Sequence, residues 1–205
     1  YKEAIAVSGT HGKTTTTSMI STILLAADAD PTISVGGILP AIRGNIRVGN
    51  SGTFLTEACE YTNSFLHFFP TIGIILNIEE DHLDFFKDLA DIRHSFHRFA
   101  GLLPESGLLI INHDIDNYRE ITEGLACRIV TFGSAPDADY SADEVTYDEF
   151  AHPTFRVTKH GEAGSIYHLN VPGEHNVLNA LASIALAESL GIPAETIQKG
   201  LMNFS

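Results

Sequence analysis

Cysteine, tryptophan and long apolar runs are scarce or absent in this sequence of 205 residues. It has no tryptophan and only two cysteines, Cys59 and Cys127. Two cysteines cannot form a multi-bridge disulfide framework, and neither has a partner at the CxxC spacing of many metal sites. Reduced thiols in a cytoplasmic protein are the simplest interpretation. No run approaches about 18 apolar residues, so the sequence predicts no transmembrane helix.

Basic residues are also few, because 12 Lys and Arg stand against 26 Asp and Glu, a formal net charge of -14 at pH 7. DNA, RNA and anionic membranes attract basic surfaces, so we expect no nucleic acid and no membrane as a partner. An anionic ligand stays compatible with this charge, because backbone amides, one lysine and a metal ion reverse the potential locally. The acidic segment between Arg128 and Arg156 is interpreted as a solvated loop or sheet edge.

Apolar runs alternate with helical patterns through most of the chain. Strands are predicted at 4–7, 53–56, 71–76, 108–111 and 129–132, and helices at 14–27, 89–103, 115–125, 177–190 and from 194 onward. This alternation indicates an α/β fold, a mostly parallel sheet with helices on both faces. After Gly133, three segments lack intervening helices and predict a small antiparallel sheet appended to the main one, at 145–150, 154–158 and 165–171.

A glycine-containing loop between the first strand and the first helix is the strongest local signal. Its sequence is Ser-Gly-Thr-His-Gly-Lys-Thr at 8–14. Backbone amides at a helix N-terminus favour phosphate, the glycines permit close approach, and Lys13 and Thr14 would serve the outer phosphates and Mg²⁺. The full phosphate-loop pattern asks for glycine where Val7 stands, so this loop is a shortened variant. The alternative is a glycine turn with an incidental lysine.

Acidic and histidine residues follow two further predicted strands. Glu57 ends the segment 53–57, and 74–77 leads into Asp81 and His82. Ligands of open α/β sheets bind at the carboxyl ends of strands, so Glu57 is placed to coordinate Mg²⁺ unless it is merely solvated. Histidine is a poor magnesium ligand, so on its own His82 suggests a hydrogen-bonding or general-base role.

The last cluster lies in Pro-Gly-Glu-His-Asn-Val-Leu-Asn-Ala at 172–180. His175 and Asn179 are four residues apart at the start of a predicted helix and therefore share a face. An asparagine amide can recognise a purine edge and a histidine can stack on it. A capping Asn176 beside an incidental histidine is the alternative.

Taken together, these segments resemble the ATP-binding central domain of the Mur ligases. Four motifs match in order: GTHGKTT at 9–15, EACE at 57–60, NIEEDHLD at 77–84 and PGEHNVLNA at 172–180. The resemblance covers essentially the whole chain and implies a P-loop NTPase-like sheet. It also implies that 1–205 is one central domain, with a UDP-sugar domain before it and an amino-acid domain after it in a longer enzyme.

The resemblance implies ATP and Mg²⁺ as cofactors and assigns a role to several residues. Lys13 would neutralise the γ-phosphate; Thr14 and Glu57 would hold a first Mg²⁺, and Glu57 with His82 a second. His175 and Asn179 would contact adenine. The loop residues expected to bind the nucleotide with Lys13 and Thr14 are Gly9, Thr10, His11, Gly12 and Thr15. Asn77 and Ser64 are candidates for substrate contact.

The implied reaction is ATP-dependent amide formation through an acyl phosphate. His11 and the Ser-Phe-Leu-His segment at 64–67 suggest UDP-N-acetylmuramate and L-alanine as the substrates of the full-length enzyme. Alternatives are a ligase that recycles a tripeptide onto the same sugar, a folylpolyglutamate or cyanophycin type of ligase, and a non-catalytic nucleotide-binding module. Cys59 replaces the aspartate of many relatives, so no role of that aspartate carries over to this chain. Glu60 is present, and its role is open. No lysine lies within 88–103, so we expect no carbamylated lysine.

Overall fold

A computed structural model describes all 205 residues. Ten strands are present: β1 Glu3–Ser8, β2 Thr32–Leu39, β3 Gly44–Arg47, β4 Thr53–Glu57, β5 Ile72–Ile75, β6 Leu108–Asn112, β7 Arg128–Phe132, β8 Tyr140–Tyr147, β9 Pro153–Lys159 and β10 Glu162–His168. The α-helices are α1 Lys13–Ala26, α2 Leu89–Ala100, α3 Tyr118–Thr122, α4 His175–Ser189 and α5 Ala194–Met202. Short 3₁₀ turns span Pro40–Ile42 and Tyr61–His67. No helix is both long enough and apolar enough to cross a bilayer.

All strands belong to one sheet, in the order β10-β9-β8-β7-β6-β5-β1-β4-β2-β3. The pairs from β2 through β4, β1, β5, β6 and β7 to β8 are parallel. The outer pairs β2–β3, β8–β9 and β9–β10 are antiparallel. Strand β1 lies between β4 and β5, so the loops after these three strands meet at one edge of the sheet.

Helices cover the two faces of the sheet and divide the core into two clusters. The larger one has 29 buried residues and includes residues of α1, α4 and α5, while a second one of 15 includes residues of α2 and α3. Every residue of β5 and β6 is buried, as expected for parallel strands covered on both sides. This packing is why those strands appear in the sequence as continuous apolar runs.

The α/β class, the helices on both faces and the antiparallel part predicted from the sequence are confirmed. The antiparallel strands continue the main sheet through the β7–β8 pairing at Phe132 and Tyr140. The acidic segment forms β8, whose second half is exposed, and the turns beside it, so the segment is solvated as predicted. It does not form the sheet edge, because β8 lies between β7 and β9. Two helices are shorter than expected: α2 ends at Ala100, and α3 is a single turn between the left-handed residues Asn117 and Gly124.

The hairpin formed by β2 and β3 is absent from the sequence-based prediction. Its first strand is interrupted by Gly36 and Gly37, and large apolar side chains such as that of Ile38 point into solvent. It therefore lacks both the alternation of a half-buried strand and the unbroken run of a buried one. Its position is nonetheless important, because β2 pairs with β4 beside the predicted magnesium ligand Glu57.

Candidate functional site

The loop at 8–14 lies at the carboxyl end of β1 and leads directly into α1. Gly9 has φ 144 and Gly12 has φ 85, so both adopt backbone conformations that favour glycine. The first hydrogen bond of the helix runs from the Thr16 amide to the Gly12 carbonyl at 2.9 Å. The amides from Lys13 to Thr15 therefore have no partner within the helix and form the donor set that binds anions at helix N-termini.

Asn77, just after β5, holds the loop in place. Its amide oxygen accepts from the His11 backbone N–H at 2.7 Å, and its amide nitrogen donates to the His11 carbonyl at 2.9 Å. The Thr10 hydroxyl accepts from the Glu79 backbone amide at 2.9 Å, and the His11 ring lies 3.4 Å from the Glu79 carboxylate. Asn77 thus orders the loop at 8–14, a role that the sequence did not indicate for this predicted substrate contact.

Lys13 is mostly buried, and its ammonium group lies against its own loop. The nitrogen Nζ donates to the Gly9 carbonyl at 2.6 Å, to the Thr10 carbonyl at 3.3 Å and to Glu60 Oε2 at 3.3 Å. These three acceptors match the three N–H groups of a lysine ammonium. The positive charge is therefore fixed beside the amides at the start of α1.

Glu57 ends β4 and brings together the first predicted metal-ligand pair. Its Oε2 accepts from the Thr14 hydroxyl at 3.1 Å, and its Oε1 accepts from the Gly36 backbone amide at 2.6 Å. A Cβ at position 36 would lie 3.0 Å from Glu57 Oε2, so glycine in β2 leaves room for the carboxylate. Gly36 is therefore a contributor to the site that sequence reasoning missed, since β2 itself was not predicted.

His82 follows β5 and has the left-handed conformation with φ 53. The Tyr61 ring stacks on it with centroids 4.6 Å apart, and the Tyr61 hydroxyl donates to Asp84 at 2.7 Å. This hydrogen bond to a carboxylate raises the pKa of the Tyr61 phenol. His82 Nε2 is 3.8 Å from Glu60 Oε1 and 3.8 Å from Asp81 Oδ2.

These groups fit a divalent cation. Thr14 and Glu57 supply hard oxygen ligands of the kind that Mg²⁺ prefers. Glu60 Oε1, which faces His82, is buried and accepts no hydrogen bond. An unpaired buried carboxylate oxygen beside a histidine is an arrangement that a bound cation would satisfy. Thr14 thus contacts Glu57, whereas His82 lies beside Glu60, and no hydrogen bond or ion pair joins His82 to Glu57, its expected partner around a second cation. The site of Thr14, Glu57 and His82 stays a prediction.

A cavity of about 520 Å³ opens beside the loop, and Glu57 does not line it. His11, Asn77, His175 and Asn179 all line it. The helix α4 begins at His175, so that residue and Asn179 project from its first turns as predicted. A Cβ at position 12 would lie only 2.7 Å from Asn179 Oδ1, which shows how closely the loop and α4 approach. The structure therefore brings the loop and the predicted adenine contacts together.

Asn176 fixes the orientation of Asn179. Its Oδ1 accepts from Asn179 Nδ2 at 3.1 Å, and its own Nδ2 donates to the Pro172 carbonyl at 2.8 Å. Asn176 is the second residue of α4 and the cap position is Glu174, so the alternative of a capping Asn176 is wrong. The Oδ1 of Asn179 is left to face Gly12 and the cavity.

Ser64 and Thr15 differ from the rest of the predicted set. The Ser64 hydroxyl shares its single proton between the backbone carbonyls of Cys59 and Tyr61, both at 2.9 Å. It does not line the cavity beside the loop. Thr15 lies in the first turn of α1, so its contribution is its backbone amide. His97 is remote from these groups, and its Nδ1 lies 3.0 Å from the Ile121 carbonyl.

The family model described as the Mur ligase middle domain matches residues 7–187. The chain belongs to the Mur ligase family. This Mur ligase domain is 57% identical over 205 residues to the UDP-N-acetylmuramate--L-alanine ligase of Lachnospira eligens, covering all of this chain and 45% of that protein. It is 56% identical to the enzyme of the same name from Agathobacter rectalis, covering 44% of that protein. The chain thus spans less than half the length of these Mur ligases.

Solved Mur ligase structures share the fold over nearly the whole chain. The UDP-N-acetylmuramate-alanine ligase of Thermotoga maritima has a TM-score of 0.86 at 33% identity and covers 99% of this chain and 45% of its own. The UDP-N-acetylmuramate:L-alanyl-gamma-D-glutamyl-meso-diaminopimelate ligase of Neisseria meningitides has a TM-score of 0.87 at 28% identity, over 98% of this chain and 66% of its own.

Proposed function

We propose that this chain is the nucleotide-binding domain of an ATP-dependent ligase that joins L-alanine to the carboxylate of UDP-N-acetylmuramate. The observation that carries the proposal is the convergence of Lys13, the free amides of α1 and the Thr14–Glu57 pair at one end of β1. Positive charge, anion-binding amides and metal-binding oxygens are the groups that phosphoryl transfer requires. The relatives that carry the name UDP-N-acetylmuramate--L-alanine ligase support the choice of substrates.

The proposed reaction has two steps. A carboxylate oxygen of the sugar attacks the γ-phosphorus of ATP, the bond to the β-phosphate oxygen breaks, and ADP leaves. The amine of alanine then attacks the resulting acyl phosphate, loses a proton, and expels inorganic phosphate as the amide forms. Lys13 and the amides of residues 13–15 neutralise the charge on the phosphates during the first step. Asn77 keeps that loop in register through its two bonds to His11.

Thr14, Glu57 and His82 are the residues proposed to hold Mg²⁺, which when bound supplies charge neutralisation to the phosphate oxygens. Gly36 fixes Glu57 through a backbone hydrogen bond, and Tyr61 fixes the plane of His82 by stacking. The hydrogen bond from Gly36 and the stacking of Tyr61 orient the proposed ligands, as residues that contact the ligands do in other metal sites. His175 and Asn179 are the proposed adenine contacts at the cavity beside Gly12.

A second candidate is a ligase that attaches a tripeptide to the same nucleotide sugar. It is favoured by the similarity to the Neisseria meningitides ligase, whose name contains that peptide. A non-catalytic nucleotide-binding module is a third candidate of a different class. It requires neither Glu57 nor His82, so its nucleotide affinity should not change when either is replaced by alanine.

The test is a ligation assay on the full-length protein with UDP-N-acetylmuramate, ATP, Mg²⁺ and either alanine, serine, glycine or the tripeptide. We expect alanine to be the preferred acceptor and Lys13→Ala to lower kcat by about 10²–10³-fold, the scale of losing one preorganised charge-stabilising donor. Full activity of Lys13→Ala would contradict the proposed mechanism. Preference for the tripeptide would contradict only the choice of acceptor, and phosphate release without ligation by any acceptor would contradict the ligase function.

A further inference from the structure

Glu60 is the only buried charged residue in this protein, with 2% of its surface exposed. It lies between Lys13 of the phosphate loop and His82 of the loop after β5. A buried carboxylate costs folding free energy unless charged or hydrogen-bonding partners compensate it. The position of Glu60 between two residues of the proposed site suggests that its role is functional.

One carboxylate oxygen holds the lysine. Glu60 Oε2 is 3.3 Å from Lys13 Nζ, and the other two contacts of that ammonium are backbone carbonyls of the loop. A phosphate oxygen that binds Lys13 must replace one of these three acceptors. The carbonyls of Gly9 and Thr10 are fixed by the loop, whereas a glutamate side chain can rotate. Glu60 is therefore the acceptor that competes with phosphate for Lys13.

The other carboxylate oxygen has no hydrogen-bond partner. Glu60 Oε1 is buried and lies 3.8 Å from His82 Nε2. A cation or a hydrogen-bond donor placed beside a buried acceptor that has no partner stabilises it. A divalent cation near His82 would supply that partner and draw the carboxylate away from Lys13.

We propose that Glu60 is a positioning residue that links cation binding to nucleotide binding, because it competes with phosphate for Lys13 until a divalent cation beside His82 attracts it. This inference rests on the proposed function, since it takes ATP and Mg²⁺ as the ligands. It predicts an effect that a purely structural role would not produce: removal of the Glu60 charge should strengthen the binding of metal-free ATP. By linkage, Mg²⁺ and ATP each raise the affinity for the other through this carboxylate.

The experiment is calorimetric titration of the full-length protein with ATP, once with excess Mg²⁺ and once with EDTA. For Glu60→Gln we expect metal-free ATP to bind about tenfold more tightly than to wild type, the scale of one charge-assisted hydrogen bond. The factor by which Mg²⁺ enhances ATP binding should fall by a similar amount. Glu60→Asp keeps the charge but withdraws it from Lys13, so it should shift both quantities in the same direction by less.

Glu120→Gln is the matched control, because Glu120 also holds a cationic side chain, that of Arg93 at 2.7 Å, and lies outside the proposed site. It should leave both affinities unchanged. Weaker ATP binding by Glu60→Gln under both conditions, or an unchanged enhancement by Mg²⁺, would overturn the linkage. If Lys13→Ala binds ATP as tightly as wild type does, the proposed function is contradicted instead. The two failures are therefore distinguishable.

Discussion

Gly12 shows how a single residue shapes the site. It combines a left-handed backbone with the close approach of Asn179 from α4, and a β-carbon there would come within 2.7 Å of the Asn179 side-chain oxygen. Such a separation is well below normal van der Waals contact, so the Asn179 side chain would have to turn away and give up its hydrogen bond to Asn176. The same residue therefore serves the phosphate loop and the proposed adenine contact.

Gly12→Ala should therefore destabilise the protein more than an alanine substitution that only strains the backbone. Gly124 is the matched control, because its φ is +74 and a Cβ there meets nothing within 4 Å. Gly124→Ala should cost about 1–2 kcal/mol of stability from left-handed strain. Gly12→Ala should cost about 1–3 kcal/mol more from the clash and weaken ATP binding about tenfold. Equal unfolding free energies for the two variants in urea would show that Asn179 does not constrain Gly12.

At the residue scale, sequence reasoning located more of the site than it explained. The spacing of Lys13, Glu57 and His82 placed each of them after a strand, and the structure brings them to one edge. The partners that fix them were not predictable, because Gly36 and Glu60 contact them only through the fold. The role of Glu60 stayed open in the sequence because burial of a charged side chain leaves no local pattern.

The side chain of Asp30 connects β2, β3 and the turn before β4. It lies just before β2 with φ 48, and its carboxylate accepts from Arg47 Nη2 at 2.5 Å and from the Asn50 amide at 2.9 Å. The hydrogen bond from Arg47 is the main cause that holds the pKa of Asp30 below its ordinary value of 3.8. Asp30 thereby ties the end of β3 and the turn before β4 to the start of β2.

This depressed pKa predicts a pH dependence of stability. Folding favours the ionised carboxylate, so its contribution is present above pH 3.8 and is lost as the pH falls through the folded-state pKa. Asp30→Asn should therefore lower the free energy of unfolding near neutral pH, and its difference from wild type should shrink below that value. Urea unfolding between about pH 7 and about pH 3 measures this difference.

Asp28→Asn is the control for that series, since Asp28 also has a left-handed backbone, with φ 52, and is exposed. The Asp28→Asn variant should have the same free energy of unfolding as wild type at every pH. A destabilisation by Asp30→Asn that is the same at all pH values would mean that packing of the loop is responsible, with no contribution from the ionised carboxylate.

At the scale of elements, the buried strands were predictable from the sequence and the partly exposed hairpin was not. Strands β5 and β6 are buried along their whole length and have unbroken apolar sequences, so they were predicted within one or two residues. The β2–β3 hairpin was missed because its apolar side chains are partly exposed and two glycines interrupt it. Tertiary pairing with β4, which no local pattern records, is what stabilises it.

At the scale of the whole molecule, the strand order creates the site. Because β1 lies between β4 and β5, three loops that are distant in sequence supply the lysine, the carboxylates and the histidine. The parallel class was predictable from alternating elements, but the order of the strands was not, since many orders satisfy the same alternation. The net charge of -14 is compatible with an anionic nucleotide, because Lys13 and the free amides of α1 supply positive charge at the proposed site and Glu57 is the proposed metal ligand there.

The most direct measurement of the central claim is a crystal structure of this protein with Mg²⁺ and a non-hydrolysable ATP analogue. We predict that its phosphates lie on the backbone amides of residues 13–15 with Lys13 in contact, that the metal lies between Thr14 and Glu57, and that adenine lies beside His175 and Asn179. A nucleotide bound at another part of the surface, with the loop at 9–14 making no contact to phosphate, would contradict this account.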